Sequence, residues 1–347
     1  MKKKFILYFM LAASLVTGCS SSNQKKDNLP CIDITKNYPE KEIILTDIAT
    51  VKYVHLSTKN DDYLYKGIIN YMTENTIVVA DDVSGSILFF SKDGKPKSRF
   101  NHYGSGSEEY PQKGRFLSII YDETADDVFV SSTPGNFNVY SSMGKYKRKV
   151  ILPQGTNVHS IVDYDEQSFF LYDIQNDFKK SPKERTYFMS QSNDSSYCRV
   201  SKTDGKVLEY VIFPSIEINL TNHISVGNGW LRRIHPHGRI VKSPTGLYFC
   251  RIDADTVFLY KKDKTVTPVF CKTPLANKSE PIILLNRFIE TDRYQFIEVL
   301  PLAREDSSSE TLLLRDKQSG KIFQQKLILP DYKEKKLTFL VICITTM

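Results

Sequence analysis

Thr76-Ile77-Val78-Val79-Ala80-Asp81, then Gly85-Ser86-Ile87-Leu88-Phe89-Phe90, then Lys92-Asp93-Gly94-Lys95: this stretch decides the fold. Two short runs of β-branched and aromatic residues are closed by Asp-Gly, where glycine takes the positive φ that a tight hairpin needs. The same text returns along the chain. Asp127–Ser131 and Asn136–Tyr140 precede Met143-Gly144-Lys145, and Gly246–Cys250 and Asp255–Tyr260 precede Lys261-Lys262-Asp263-Lys264. Looser echoes are Ser196–Val200 before Asp204-Gly205-Lys206, and Leu312–Leu314 before Ser319-Gly320-Lys321. The turn residues fall at 94, 144, 205, 264 and 320, a step of 50 to 61 residues, with Lys264 standing in for a glycine.

A strand-only repeat of this length implies a β-propeller, with one four-stranded antiparallel sheet per blade. About 305 body residues divided by about 50 per blade predict an all-β, six-bladed wheel. Closing it requires strand exchange between the chain ends. Glu42–Leu45 with Ala49–Leu56 precede the first repeat and are expected to supply the outer strand of the last blade. The apolar run Leu337–Met347 is the matching closing strand on this reading, and it is too short to span a bilayer.

The amino end carries a different message. Lys2-Lys3-Lys4 is followed by an apolar run from Phe5 to Val16, which is the pattern of a secretory signal. Its ending, Leu15-Val16-Thr17-Gly18-Cys19, resembles a bacterial lipobox. That resemblance implies cleavage before Cys19 and acyl chains, palmitate among them, on that residue. Each buried CH₂ contributes about 0.8 kcal/mol to membrane attachment. Residues 1–18 are thus expected to be a signal peptide, 19–40 a flexible polar tether, and 41–347 the propeller. Ser20 rather than Asp after the cysteine implies, by the same resemblance, onward transfer to an outer membrane, with a periplasmic or surface face.

Formal net charge is +7, and loss of residues 1–18 removes three lysines and no acids, leaving +4. The basic runs Lys145–Lys149 and Lys333–Lys336 interrupt strand text and are expected at solvated edges, so no nucleic-acid partner is expected. Five cysteines remain beside Cys19, namely Cys31, Cys198, Cys250, Cys271 and Cys343, with no C-x-x-C pair. Cys250 and Cys271 are expected two strands apart, about 9.6 Å, beyond disulfide reach. Buried free thiols are the expectation.

Beyond pattern, Ile77–Asp81, Gly85–Phe90 and Asp93-Gly94-Lys95 resemble the core of an NHL-type propeller repeat. Phe100 to Pro111 resembles its Gly-rich inter-blade loop, followed by Ile120-Tyr121-Asp122. With the lipobox and the opening Lys41–Ile48, the chain resembles the six-bladed β-propeller lipoproteins of Bacteroidetes, of NHL or TolB-like type. The resemblance implies a fold and an address, and brings no activity that transfers residue by residue.

The most suggestive polar group is His235-Pro236-His237 with Trp230, Arg232, Arg233 and Arg239, and His223 upstream. It has no carboxylate at a metal-binding spacing, so neither a metal nor a cofactor is expected. A stacking ring with planar donors instead makes Trp230, Arg232, Arg233, His235 and His237 candidate ligand contacts. Gly104-x-Gly106 lacks the helix a phosphate loop requires and is expected to be a connecting turn. The pairs Asp61-Asp62, Glu108-Glu109 and Asp126-Asp127 project to opposite sides of a strand and are expected to be solvated turn charges. Asp81 and Asp122 end strands and are expected to hold turns or line the channel. No nucleophile motif such as G-x-S-x-G occurs, so no catalytic residues are assigned.

The reading is an envelope-anchored lipoprotein, more a binding scaffold for a protein, peptide or glycan than an enzyme. The alternatives are a metal-dependent propeller hydrolase of lactonase or esterase type, whose ligands would be spread over several blades, and an architectural subunit of an envelope complex.

Overall fold

The computed structural model describes residues 29–328. The intervals 59–60, 82, 112–117, 132–134, 154–155, 157, 174–177, 181–186, 190–196, 214–222, 227–229, 234–238, 251–253, 280–281 and 303–309 fall outside that description. Cys19, the expected tether up to residue 28, Cys343 and Leu337–Met347 lie outside the described residues.

Two short strands come first, β1 (Cys31–Asp33) and β2 (Glu40–Ile44), followed by one helical turn, α1 (Leu45–Ile48). Blade 1 is then β3 (Gly67–Met72), β4 (Thr76–Asp81), β5 (Ile87–Ser91) and β6 (Pro96–Phe100). Blade 2 is β7 (Ser118–Asp122), β8 (Asp127–Ser131), β9 (Asn136–Tyr140) and β10 (Tyr146–Ile151). Blade 3 starts with β11 (Val158–Asp165) and β12 (Ser168–Asp173). A separate hairpin, β13 (Phe178–Lys180) and β14 (Tyr187–Met189), interrupts it before β15 (Tyr197–Ser201) and β16 (Val207–Val211) complete the sheet. A second separate hairpin, β17 (His223–Val226) and β18 (Trp230–Arg233), precedes blade 4. That blade is β19 (Arg239–Ser243), β20 (Gly246–Cys250), β21 (Thr256–Lys261) and β22 (Val266–Thr273). Blade 5 is β23 (Ile282–Glu290), β24 (Tyr294–Leu302), β25 (Thr311–Asp316) and β26 (Ile322–Ile328).

All pairings inside these five sheets are antiparallel, as expected for propeller blades. First strands of successive blades, β3, β7, β11, β19 and β23, run beside one another around the centre. Second and third strands are buried on both flanks, which explains why they read as unbroken apolar runs and not as alternating text.

Each blade covers the flank of the next with aromatic rings. Phe89 meets Tyr121 edge-on at 5.2 Å between blades 1 and 2, and Phe129 meets Phe169 at 4.8 Å between blades 2 and 3. Phe170 lies 5.0 Å from Tyr260 between blades 3 and 4, and Tyr248 lies 5.4 Å from Phe288 between blades 4 and 5. These edge-to-face contacts add about 0.5–1.5 kcal/mol each beyond area burial.

The amino end closes two outer edges by parallel strand addition. β1 pairs with β22 and β2 pairs with β26. Of the run Glu42–Leu45, residues Glu42 to Ile44 pair beyond β26 as an added fifth strand, while Leu45 opens α1 and Ala49–Leu56, expected beside them, form no strand in the described structure. Two further expectations are corrected here. Residues 31–33, placed in the tether, form an ordered edge strand. Cys31 and Cys271, expected as free thiols, are joined in a disulfide whose partners are 240 residues apart. A three-residue parallel strand has no sequence signature, so the register that brings these two cysteines opposite one another was not visible. Cys198 and Cys250 are buried thiols outside any disulfide, and burial raises the Cys198 thiol to about 12.

All five turn residues named from the repeat adopt positive φ: Gly94 84°, Gly144 87°, Gly205 75°, Lys264 67° and Gly320 68°. Lys264 therefore pays the strain of a left-handed residue, roughly 1 kcal/mol. Lys264→Gly is expected to stabilise the protein by up to about 1 kcal/mol. In Gly205→Ala an added Cβ would meet the Ile151 carbonyl oxygen at 2.2 Å, so a loss of about 2 kcal/mol is expected. Urea unfolding of the two variants should move the midpoint in opposite directions.

Candidate functional site

Polar side chains converge where the first strands of four blades end. Tyr71 comes from β3, Asp122 from β7, Asp163 from β11 and Lys242 from β19. Lys202 reaches them from the turn between β15 and β16, which is anchored where the Lys202 N–H donates to the Gln167 carbonyl at 2.8 Å. Its ammonium lies 2.8 Å from Asp122 Oδ2 and 2.8 Å from Asp163 Oδ1, and 5.5 Å above the Phe169 ring centre. Tyr71 donates its hydroxyl to Asp163 Oδ2 at 3.4 Å, and Lys242 Nζ donates to the Asp163 carbonyl at 2.8 Å.

The Lys202 side chain is only 6% exposed. Burial alone would lower its pKa, but the hydrogen bonds to Asp122 and Asp163 outweigh that and hold it above the ordinary lysine value. Burial likewise pushes the Asp122 carboxyl up, and the Lys202 contact more than reverses it, leaving that pKa lowered. The cluster is a charge-neutralised knot. Its carboxylates are committed to a lysine, so it offers a substrate no free acid or base.

A second buried pair, Lys272 with Asp255, sits beside the disulfide. Asp255 Oδ2 accepts from the Ala276 N–H at 2.9 Å, and burial leaves the Lys272 pKa lowered despite its partner. Among the described residues, no group of three or more His, Cys, Asp or Glu side chains is placed to hold a metal ion.

The turn residues behave as connections. Asp81 accepts from the Val83 N–H at 2.9 Å and from the Ser84 hydroxyl at 2.7 Å, a turn role; Asp122 caps its turn through the Ala125 N–H while also binding Lys202. The Gly-rich loop is wrapped around the chain's own anion, because the Gly106 N–H donates to Glu109 Oε2 at 2.7 Å. One acid expected as solvated differs from that reading: Asp127 is buried between Lys147 at 2.8 Å and Arg148 at 2.7 Å, whereas Asp62 pairs with Arg99 while staying solvated in its turn.

Trp230, Arg232 and Arg233 lie on β18, in the hairpin between blades 3 and 4. Arg233 is registered opposite His223 and Trp230 opposite Val226. The candidates thus belong to an insertion outside the four-stranded sheets. His235 and His237 lie outside the described residues. The knot around Lys202 was not anticipated beyond Asp122. Its members are spread from residue 71 to residue 242 and leave no local motif.

One rim also differs from the others. Outer strands β6 and β10 carry lysine and arginine, and β22 and β26 are covered by added strands. β16 exposes Leu208 and Tyr210, and Ile212 follows, 67% exposed, on an edge that no described strand covers.

Residues 20–234 match a family model described as a 6-bladed beta-propeller. Among solved structures, the chain is similar to a protein from Bacteroides fragilis described as exported, with 14% identity, a TM-score of 0.53, and coverage of 85% of this chain and 79% of the other. Fainter likenesses, with TM-scores of 0.39 and 0.34, are to BamB from Moraxella catarrhalis and to a streptogramin B lyase. Their identities are 7% and 11%; they cover 72% and 76% of this chain, and 61% and 87% of the others. No curated protein matches significantly.

Lys202→Met would leave two carboxylates facing each other with little water, and a loss of about 3 kcal/mol in urea unfolding is expected. The pH dependence has a sign at each end. The lowered Asp122 pKa gives stability that is present above about pH 4 and disappears as pH falls through the folded value. The raised Lys202 pKa gives stability present below about pH 10.4 and lost as pH rises through the folded value. Both arms should flatten in Lys202→Met.

Proposed function

The chain belongs to the 6-bladed β-propeller family, and on that premise we propose that it is an exported lipoprotein whose wheel serves as a binding scaffold. Cys19 carries the lipid, and the partner is a protein, peptide or glycan of the cell envelope. The observation that carries the reading is the arrangement around blade 3. Both extra hairpins are borne there, one inside the blade and one just after it, and the blade's outer strand exposes Leu208 and Tyr210. Insertions on a rigid scaffold are where recognition is usually placed. Trp230, Arg232 and Arg233 of the second hairpin supply a stacking ring and planar donors.

Export is supported independently of the signal. The Cys31–Cys271 disulfide belongs to an oxidising compartment and is foreign to a reduced cytosol. A binding role agrees with a central knot in which the charges satisfy one another and leave none for proton transfer.

Two measurements test the proposal. Metabolic labelling with palmitate is expected to mark the wild-type chain and not Cys19→Ala, which should partition into the soluble fraction. A photo-crosslinker placed at Trp230 in intact cells is expected to yield a discrete adduct that one placed at Lys97 on blade 1 does not. Arg232→Ala with Arg233→Ala should reduce that adduct by about tenfold, the size of a lost hot-spot contact of roughly 1.4 kcal/mol. Equal labelling of Cys19→Ala, or the same adducts from both probe positions, would overturn it.

A further inference from the structure

Neighbouring strands of a blade alternate in direction, so the turns after its first and third strands lie on the same face of the wheel. Blade 4 departs from the other described blades on that face in three ways. Its third-to-fourth turn, Lys261-Lys262-Asp263-Lys264-Thr265, holds three lysines, and every residue from Lys261 to Val266 is exposed. In blades 1, 2 and 3 the turn glycine is buried against a neighbouring segment. A Cβ on Gly94, Gly144 or Gly205 would meet His55, Phe100 or Ile151 at 2.1, 2.5 or 2.2 Å. Blade 4 instead places Lys264 at that position, with a φ of 67°. A residue kept in a conformation that glycine would relieve indicates a use for its side chain.

The charges of this turn are also left open. Asp93 pairs with Lys95 at 2.8 Å in blade 1, and Asp204 pairs with Lys206 at 3.0 Å in blade 3. Blade 4 has a threonine where those lysines stand. Asp263 accepts from the Thr265 N–H at 3.0 Å and from its hydroxyl at 2.6 Å. Among the described residues, none of Lys261, Lys262 and Lys264 is held in an ion pair. Blade 5 differs again, because its Lys317 is taken by Glu290 at 2.6 Å.

The first-to-second turns complete the contrast. They carry Glu74, Glu123, Glu166 and Asp292 in blades 1, 2, 3 and 5, whereas blade 4 has Pro244-Thr245. One sector of the face is therefore cationic, and acids stand in the sectors around it.

The amino end of the folded chain arrives in that same sector. β1 runs parallel to β22 with Cys31 opposite Cys271, and the Cys271 N–H donates to the Pro30 carbonyl at 2.9 Å. β1 thus enters the sheet from the end of β22 at which the lysine turn stands. From Cys271 back to Val266 is about 17 Å of strand. The twelve residues from Cys19 to Cys31 can extend about 40 Å, so a lipid on Cys19 lets this turn reach the bilayer.

Resting on the lipid anchor proposed above, we infer that Lys261–Thr265 is where the anchored wheel touches its membrane. Lys261, Lys262 and Lys264 bind the phosphate headgroups of anionic phospholipids. The anchor holds the turn close to the surface, and within a screening length of about 8–10 Å each lysine raises the occupancy of the contact about fivefold. The wheel meets the bilayer by the rim of blade 4, with the acidic turns of the other blades tilted away.

Lysine footprinting tests this on the full-length acylated protein. It is reconstituted in phosphatidylcholine vesicles with or without about a third phosphatidylglycerol, acetylated at its amines, and read residue by residue by mass spectrometry. Lys262 and Lys264 are expected to react at least about threefold more slowly when phosphatidylglycerol is present, and the difference should vanish near about 1 M salt. Lys149, exposed on the outer strand of blade 2, should react alike on both lipids. Lys264→Gly, the more stable variant, should return Lys262 toward its rate on phosphatidylcholine, which separates the contact from folding. Equal rates on both lipids, in protein that floats with the vesicles, would overturn the inference and leave the anchor standing. Protection by free glycerophosphoglycerol beside phosphatidylcholine vesicles would overturn it too, by showing a site for soluble anions. Protein that floats with neither vesicle loses the anchor and the inference together, so flotation tells the two failures apart.

Discussion

A four-stranded blade buries its flanks only against other blades, and this constraint governs the rest of the molecule. The middle strands of blades 1 and 2, such as Ile77–Ala80 and Val128–Val130, are buried on both sides. Their cover comes from rings on the next sheet: Tyr121 for Phe89, Phe169 for Phe129, Tyr260 for Phe170. None of blades 2 to 4 can be removed without exposing two aromatic layers, so stability is shared between neighbouring sheets. The inner strands add a second bond of the same kind, since Lys202 ties the carboxylates of blades 2 and 3 together.

What the sequence displayed was whatever repeats locally. The strand runs and all five turns were legible, including Lys264, whose positive φ follows only from its place in the series. Features built from distant residues were not visible. The disulfide needed a three-residue parallel strand to bring Cys31 beside Cys271, and the Lys202 knot draws on positions from 71 to 242. Asp127 was mistaken for a solvated turn charge because its two cations come from the outer strand of the same blade, about twenty residues later.

The candidate binding residues show the same division. Trp230, Arg232 and Arg233 stood out by residue type alone, and the backbone then placed them on a hairpin between blades. Residue type gave the chemistry, while the position outside the repeat came only from the topology. The exposed edge of blade 3 was hidden in the text, because Leu208 and Tyr210 look like any other strand residues until the neighbouring sheet edges are known to be charged or covered.

The bridge between β1 and β22 also fixes how force would pass through the molecule. With a lipid on Cys19, the covalent bond at Cys31 leaves twelve residues of leash, which can reach no farther than about 40 Å. Any pull from the bilayer would travel along that leash and enter blade 4 through sulfur, sparing the three-residue strand from being unzipped. The wheel would therefore hang by the rim of its fourth blade, and cutting that one bond would hand the load to the next grip along the chain, the parallel pairing of β2 with β26.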